Sequence, residues 1–147
     1  MAFIFSKYGF SGIARSCSFL IFGFLVFTSP LSANDFTWLN VAGDVAKALD
    51  EAVAAKKTDD IKTAKRALTK AYFGIFESRK MEAAMRKTMG QTHTFEVERM
   101  FSGLRRMIGN ETIEKVSETA TKLIEQLYKD AKVLDAEGVS EEVYDVR

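Results

Sequence analysis

Cysteine, histidine and proline are almost missing from this sequence: its 147 residues include one of each, Cys17, His93 and Pro30. Cys17 falls in an apolar N-terminal stretch, so everything after it lacks a thiol. That excludes disulfides, thiolate metal sites and a Cys–His nucleophile from the folded part. One imidazole supports no His-rich metal cage and only a single Ser–His arrangement. There is no Gly-x-Ser-x-Gly elbow and no Gly-rich phosphate loop. The chain is therefore not expected to be an enzyme. Net charge is also nearly absent, at +1. Without a basic excess, neither nucleic acid nor an anionic lipid surface is an expected partner.

What is present is 47% hydrophobic and 28% charged residues, the balance of one globular domain. Residues 1–33 read as a signal peptide: Lys7 and Arg15 form the positive flank, Phe19 to Phe27 the apolar centre, and Leu31-Ser32-Ala33 a cleavage site before Asn34. Pro30 shortens the apolar part to about a dozen residues, fewer than the ~20 needed to span a bilayer. Cleavage leaves 19 basic and 20 acidic residues, no membrane span, and a protein expected in the periplasm.

The remaining chain has no alternating β-branched run, and its apolar residues recur at helical spacing. The expectation is an all-α, antiparallel up-and-down four-helix bundle over 34–138, followed by a polar, mobile tail over 139–147. The first helix covers about 37–55, with Trp38, Val41, Val45, Ala48, Leu49, Ala52 and Val53 on one face. Thr58 or Asp59 caps the second, which carries Ile61, Ala64, Leu68, Ala71, Tyr72, Ile75 and Phe76 and continues through Met81 and Met85 to Gly90. Gly74 and the Ser78-Arg79-Lys80 group can kink it. The third starts near Thr92 or Thr94, buries Phe95, Val97, Phe101, Leu104 and Ile108, and ends at Gly109. The fourth carries Val116, Ala120, Leu123, Leu127, Ala131 and Leu134 as far as Gly138.

Hard and borderline metal ligands remain as candidate chemistry. His93 and Glu96 stand three apart at a helix start, which places both on one face and within reach of one ion. Helical bundles build metal sites from such a pair opposed by carboxylates of facing helices. Glu77 and Glu82 lie on the preceding helix, which a turn at Gly90 folds alongside, and Glu98 is a further carboxylate. Oxygen ligands with one imidazole suit iron, manganese or zinc. Met81, Met85 and Met89 form a line four residues apart, with Met100 and Met107 on the next helix. Thioethers bind reduced copper, but methionines also fill irregular core space, and this line continues an apolar face, so copper ranks below iron. The basic pairs Arg79-Lys80, Arg86-Lys87 and Arg105-Arg106 are interleaved with acids as on a solvated surface, with Arg79–Glu82 and Arg99–Glu96 as expected helix-face ion pairs.

Two segments carry a resemblance. Lys70-Ala71-Tyr72-Phe73-Gly74-Ile75-Phe76-Glu77, followed by Met81-Glu82-Ala83-Ala84-Met85-Arg86, and later Glu98-Arg99-Met100-Phe101-Ser102-Gly103-Leu104-Arg105, resemble the periplasmic N-terminal domain of bacterial Ftr-type high-affinity iron permeases. That domain has an Ala-Tyr-Phe-x-x-Phe-Glu segment, a nearby second glutamate and a later Glu-x-x-Phe-x-x-Leu-Arg stretch. The resemblance covers about residues 36–135. It implies a role in iron delivery at the periplasmic face, with Glu77 and Glu82 as iron contacts; His93 rests on its spacing alone. The family's permease helices carry Arg-Glu-x-x-Glu motifs, which this sequence lacks. The expected function is binding or handing over iron, transiently, to a membrane iron permease or another periplasmic iron-uptake protein, and a homodimer is a further expected partner. The alternative is a metal-free helical module that docks on or regulates a permease.

Overall fold

The computed structural model describes residues 37–140, and all regular structure in that range is helical. The expected signal peptide and its cleavage site lie outside the described residues, as do positions 141–147. Five α-helices follow one another: α1 Thr37–Lys57, α2 Ile61–Thr69, α3 Met81–Thr88, α4 Gln91–Asn110 and α5 Ile113–Ala136, with a π-helical segment, Lys70–Glu77, running on from α2. None of them is long and apolar enough to cross a membrane.

Helix α1 packs against α5 and against α2 with its π-helical continuation, while α4 packs against α5, α3 and α2. The apolar stripes of the sequence meet in one core: Trp38, Val41, Val45 and Leu49 from α1, Leu123, Leu127 and Leu134 from α5, Phe76 from the π-helical segment, and Phe101, Leu104 and Ile108 from α4. Trp38 is fully buried, and its indole N–H donates to the Val139 carbonyl. The Asp135 carboxylate accepts from the backbone N–H groups of Trp38 and Leu39, at 2.9 and 3.1 Å. A side chain almost a hundred residues away thereby caps the first turn of α1 and sets a negative charge at its positive end.

Several boundaries depart from the sequence-based expectation. The second helix is two. Ser78–Lys80 breaks it, with Lys80 in the left-handed region at φ 64°, and α3 starts afresh. The N-cap of α2 is neither Thr58 nor Asp59 but Asp60, which accepts from the Thr63 N–H at 3.0 Å, while Asp59 makes the left-handed turn at φ 58° and Thr58 closes off α1 by donating to the Ala55 carbonyl. Helix α4 runs through Gly109 to Asn110, with the Lys65 side chain of α2 beside Gly109. Phe95 is 45% exposed, since Thr94 and Val97 take the buried positions of that turn. Val139, expected in a loose tail, packs on the core; its N–H donates to the Leu134 carbonyl and its carbonyl accepts from the Trp38 indole.

Candidate functional site

The π-helical segment coincides with Lys70-Ala71-Tyr72-Phe73-Gly74-Ile75-Phe76-Glu77. Wide i→i+5 turns are rare, occur mostly as short insertions inside α-helices, and are frequent at functional sites. Here the segment buries Ala71 and Phe76 and presents Tyr72 to α4. The Tyr72 ring meets Phe101 edge-on at a 5.1 Å centroid separation, and Phe76 lies 5.2 Å from the same Phe101 ring. This aromatic stack fixes the distance between the π-helical segment and α4.

Three carboxylates act on Tyr72 through their charge: Glu98 from α4 and Glu82 from the first turn of α3, both partly buried, and Glu77 from the end of the π-helical segment, which is exposed. Burial, reinforced by the negative charge of Glu98, Glu82 and Glu77, pushes the Tyr72 phenol up to about 12, so it stays protonated. Glu82 is the most enclosed of the interacting carboxylates, its side chain 16% exposed. Burial raises its pKa above the usual carboxylate range. Arg86 opposes the rise, whereas the charge of Glu98, a hydrogen bond shared with Glu98, and the charge of Glu77 add to it. The Arg86 guanidinium is the local countercharge, paired with Glu82 one turn earlier and with Glu98 across to α4 at 3.2 Å. It is Arg86, not Arg79, that meets Glu82; Arg79 reaches back to Asp44 of α1 at 3.0 Å. Beside the cluster a cavity of about 160 Å³ opens between the α2–π-helical stretch and α4, lined by Tyr72, Phe73, Glu98, Phe101, Ser102 and Arg105 among others.

The four residues proposed from sequence as metal ligands do not form one set. Glu77 and Glu82 act on each other and on Tyr72. Glu96 is exposed and borders a surface depression with Thr92, Phe95 and Arg99. His93 turns to α5, where its Nε2 lies 2.9 Å from Asp130 Oδ1. Helical spacing put His93 and Glu96 on one face, but that face divides between α5 and solvent. Glu98, five residues along from His93, is the α4 carboxylate that faces Glu82. Among the described residues no three His, Asp or Glu side chains stand close enough to hold a metal ion as they are arranged. Met81 and Met85 are fully buried, and Met89, Met100 and Met107 pack partly buried against the core, so the thioether line serves as apolar filling.

Two groups were missed from sequence. Arg86 was read as half of a surface pair, although its place four residues after Glu82 signals an ion pair. Asp130 lay unremarked inside the apolar stripe of α5, and a carboxylate between Leu127 and Ala131 was the available sign. In comparison with known protein families, curated proteins and solved structures, the chain matches none.

Proposed function

We propose that this protein is an exported, periplasmic component of iron uptake: an up-and-down helical bundle behind a cleavable signal peptide that takes up iron transiently and hands it to a membrane permease. The observation that carries this reading is that Glu77, Glu82 and Glu98, from three consecutive elements, all act on Tyr72 through their charge. These are the positions on which the resemblance to the permease domain rests. Carboxylates concentrated in a partly dehydrated place favour a hard cation, and Arg86 now supplies that positive charge. Iron enters as cargo when Arg86 swings out to solvent, and the guanidinium returns when the ion leaves. Competition of this kind holds affinity low and release fast, as a carrier requires. Glu96 and His93 stand outside this cluster and play no part in it.

Anaerobic titration of the purified protein with Fe²⁺ tests the reading. One equivalent of bound Fe²⁺ is expected to be lost in the Glu82→Gln, Glu98→Gln double variant, with the helical circular dichroism signal kept. An Fe²⁺ stoichiometry unchanged by the double change places the iron elsewhere and overturns the assignment.

A second reading, a metal-free module that docks on a permease, is favoured by one observation. Phe73 is 51% and Phe95 45% exposed, and both border depressions that share Glu98 and Ser102. If Fe²⁺ does not bind while Phe73→Ser abolishes cross-linking to an iron permease in membranes, this reading replaces the first.

A further inference from the structure

Away from the Glu82 cluster, where α4 packs on α5, the fold contains a polar arrangement that packing does not account for. Asp130 is 4% exposed. Its Oδ1 receives two neighbours, His93 Nε2 and Gln126 Nε2, each at 2.9 Å. Its Oδ2 is the one buried side-chain nitrogen or oxygen among the described residues without a hydrogen-bond partner. A carboxylate taken out of water keeps its full desolvation cost at an unsatisfied oxygen, so the orphan calls for a cation, a proton or a water to serve it. Asp130 belongs to the buried stripe of α5 and could have been apolar like Leu127 and Leu134, so nothing in the packing demands a carboxylate there.

The distances admit one of these partners. Two ligands on an ion with bonds of ~2.1 Å stand about 3 Å apart at right angles and about 3.4 Å apart in a tetrahedral site. His93 Nε2 and the Asp130 carboxylate, and likewise the Asp130 carboxylate and the Gln126 amide, are 2.9 Å apart, at the short end of that range. Half a turn about the last side-chain torsion of Gln126 exchanges its nitrogen for its oxygen at the same place and converts a donor into a ligand. Imidazole, carboxylate and amide oxygen form a borderline donor set suited to Zn²⁺ or Fe²⁺, with water completing the coordination. His93 is 31% exposed, which leaves a path inward. On binding, the ring proton moves from Nε2 to Nδ1, and the Asp130 carboxylate rotates to put Oδ2 to use.

We infer that His93, Gln126 and Asp130 form a binding site for a divalent transition metal, distinct from the glutamate cluster on the π-helical side and independent of the iron-uptake reading.

His93 is the only histidine in the chain, so its ring ¹H–¹⁵N signals are assigned without mutants. Zn²⁺ titration of the purified protein should shift the Nε2 resonance. Asp130→Asn should weaken binding by at least about tenfold, and Gln126→Glu, which adds an anionic ligand, should tighten it by about tenfold. Glu82→Gln with Glu98→Gln should leave the His93 response unchanged, which separates this site from the iron proposal. Should Asp130→Asn fail to fold, the sign of the Gln126→Glu effect decides, because without an ion a second carboxylate beside Asp130 can only repel it. Ring signals indifferent to Zn²⁺, equal affinity in Asp130→Asn, or weaker binding in Gln126→Glu would each overturn the site.

Discussion

The seam between α1 and α5 and the stretch from α2 to α3 are built from similar residues and solve opposite problems. In the seam the acidic groups serve the fold. Asp135 spends both oxygens on the first turn of α1, the Trp38 indole is satisfied by the Val139 carbonyl, and the rest is an apolar interlock of Val41, Val45, Leu49, Leu123 and Leu127. The α2-to-α3 stretch is interrupted by a π-helical segment and a left-handed lysine, and its carboxylates crowd one another rather than capping a helix. Glu82 and Glu98 share one guanidinium, that of Arg86, Glu82 is held above its ordinary range, and Tyr72 is driven far above its own. The same residue type thus serves two ends: Asp135 caps a helix, whereas Glu82 and Glu98 are drawn together across one cation.

Substitutions can break this contrast, and their effects should fall in a fixed order. Trp38→Ala removes the largest fully buried side chain of the seam and should cost ~3–5 kcal/mol in chemical denaturation, since the cavity cannot collapse between two long helices. It should leave Fe²⁺ binding per folded molecule unchanged; a loss of binding would mean the two regions are not separate. Asp135→Ala comes next, at roughly 1–2 kcal/mol, the usual value of a helix cap with a favourable charge.

Glu82→Gln should have a smaller effect with a diagnostic sign. Because folding raises the Glu82 pKa above 4.5, the folded chain holds this proton more tightly than the unfolded chain. Its contribution to stability is therefore present below that value and is lost as pH rises through the folded pKa. The stability of Glu82→Gln relative to the unaltered protein should accordingly grow from pH 4 towards neutrality. A difference that shrinks over that interval would show that Arg86, rather than burial, governs Glu82. The smallest effect is spectroscopic. In an alkaline absorbance titration Tyr72 should ionise near 12, and Glu98→Gln should bring it down towards the ordinary tyrosine range by removing the largest charge acting on it. Folded stability should fall as pH climbs from 10 towards that value, because the unfolded chain releases the phenolic proton first.

Much of the fold was legible because it is repetitive. Trp38 to Ala52, Ala64 to Phe76 and Val116 to Leu134 recur at helical spacing, and their burial follows from that spacing. The break at Ser78–Lys80 was visible as a weak point, but its consequence, a π-helical run ending in a new helix, was not. It depends on the aromatic stack of Tyr72, Phe76 and Phe101, whose members come from two elements. Of the candidate residues, Glu77 and Glu82 act on one another because they flank one break in one stretch of chain. Glu96 and His93 do not join them, because sequence spacing relates positions within a helix and says nothing of which neighbouring helix each face will meet.

The amino-acid sequence by itself determined that this chain is helical, that it has no thiol chemistry after Cys17, and which residues make its apolar stripes; all of these follow from composition and local periodicity. Tertiary structure alone decided that Glu98 and Arg86 join Glu82 beside Tyr72, and that His93 turns instead to Asp130 and Gln126. Those partnerships depend on the rotation of each helix about its own axis, which is set when the stripes interlock, and an error of one residue in that rotation moves a side chain by about 100°.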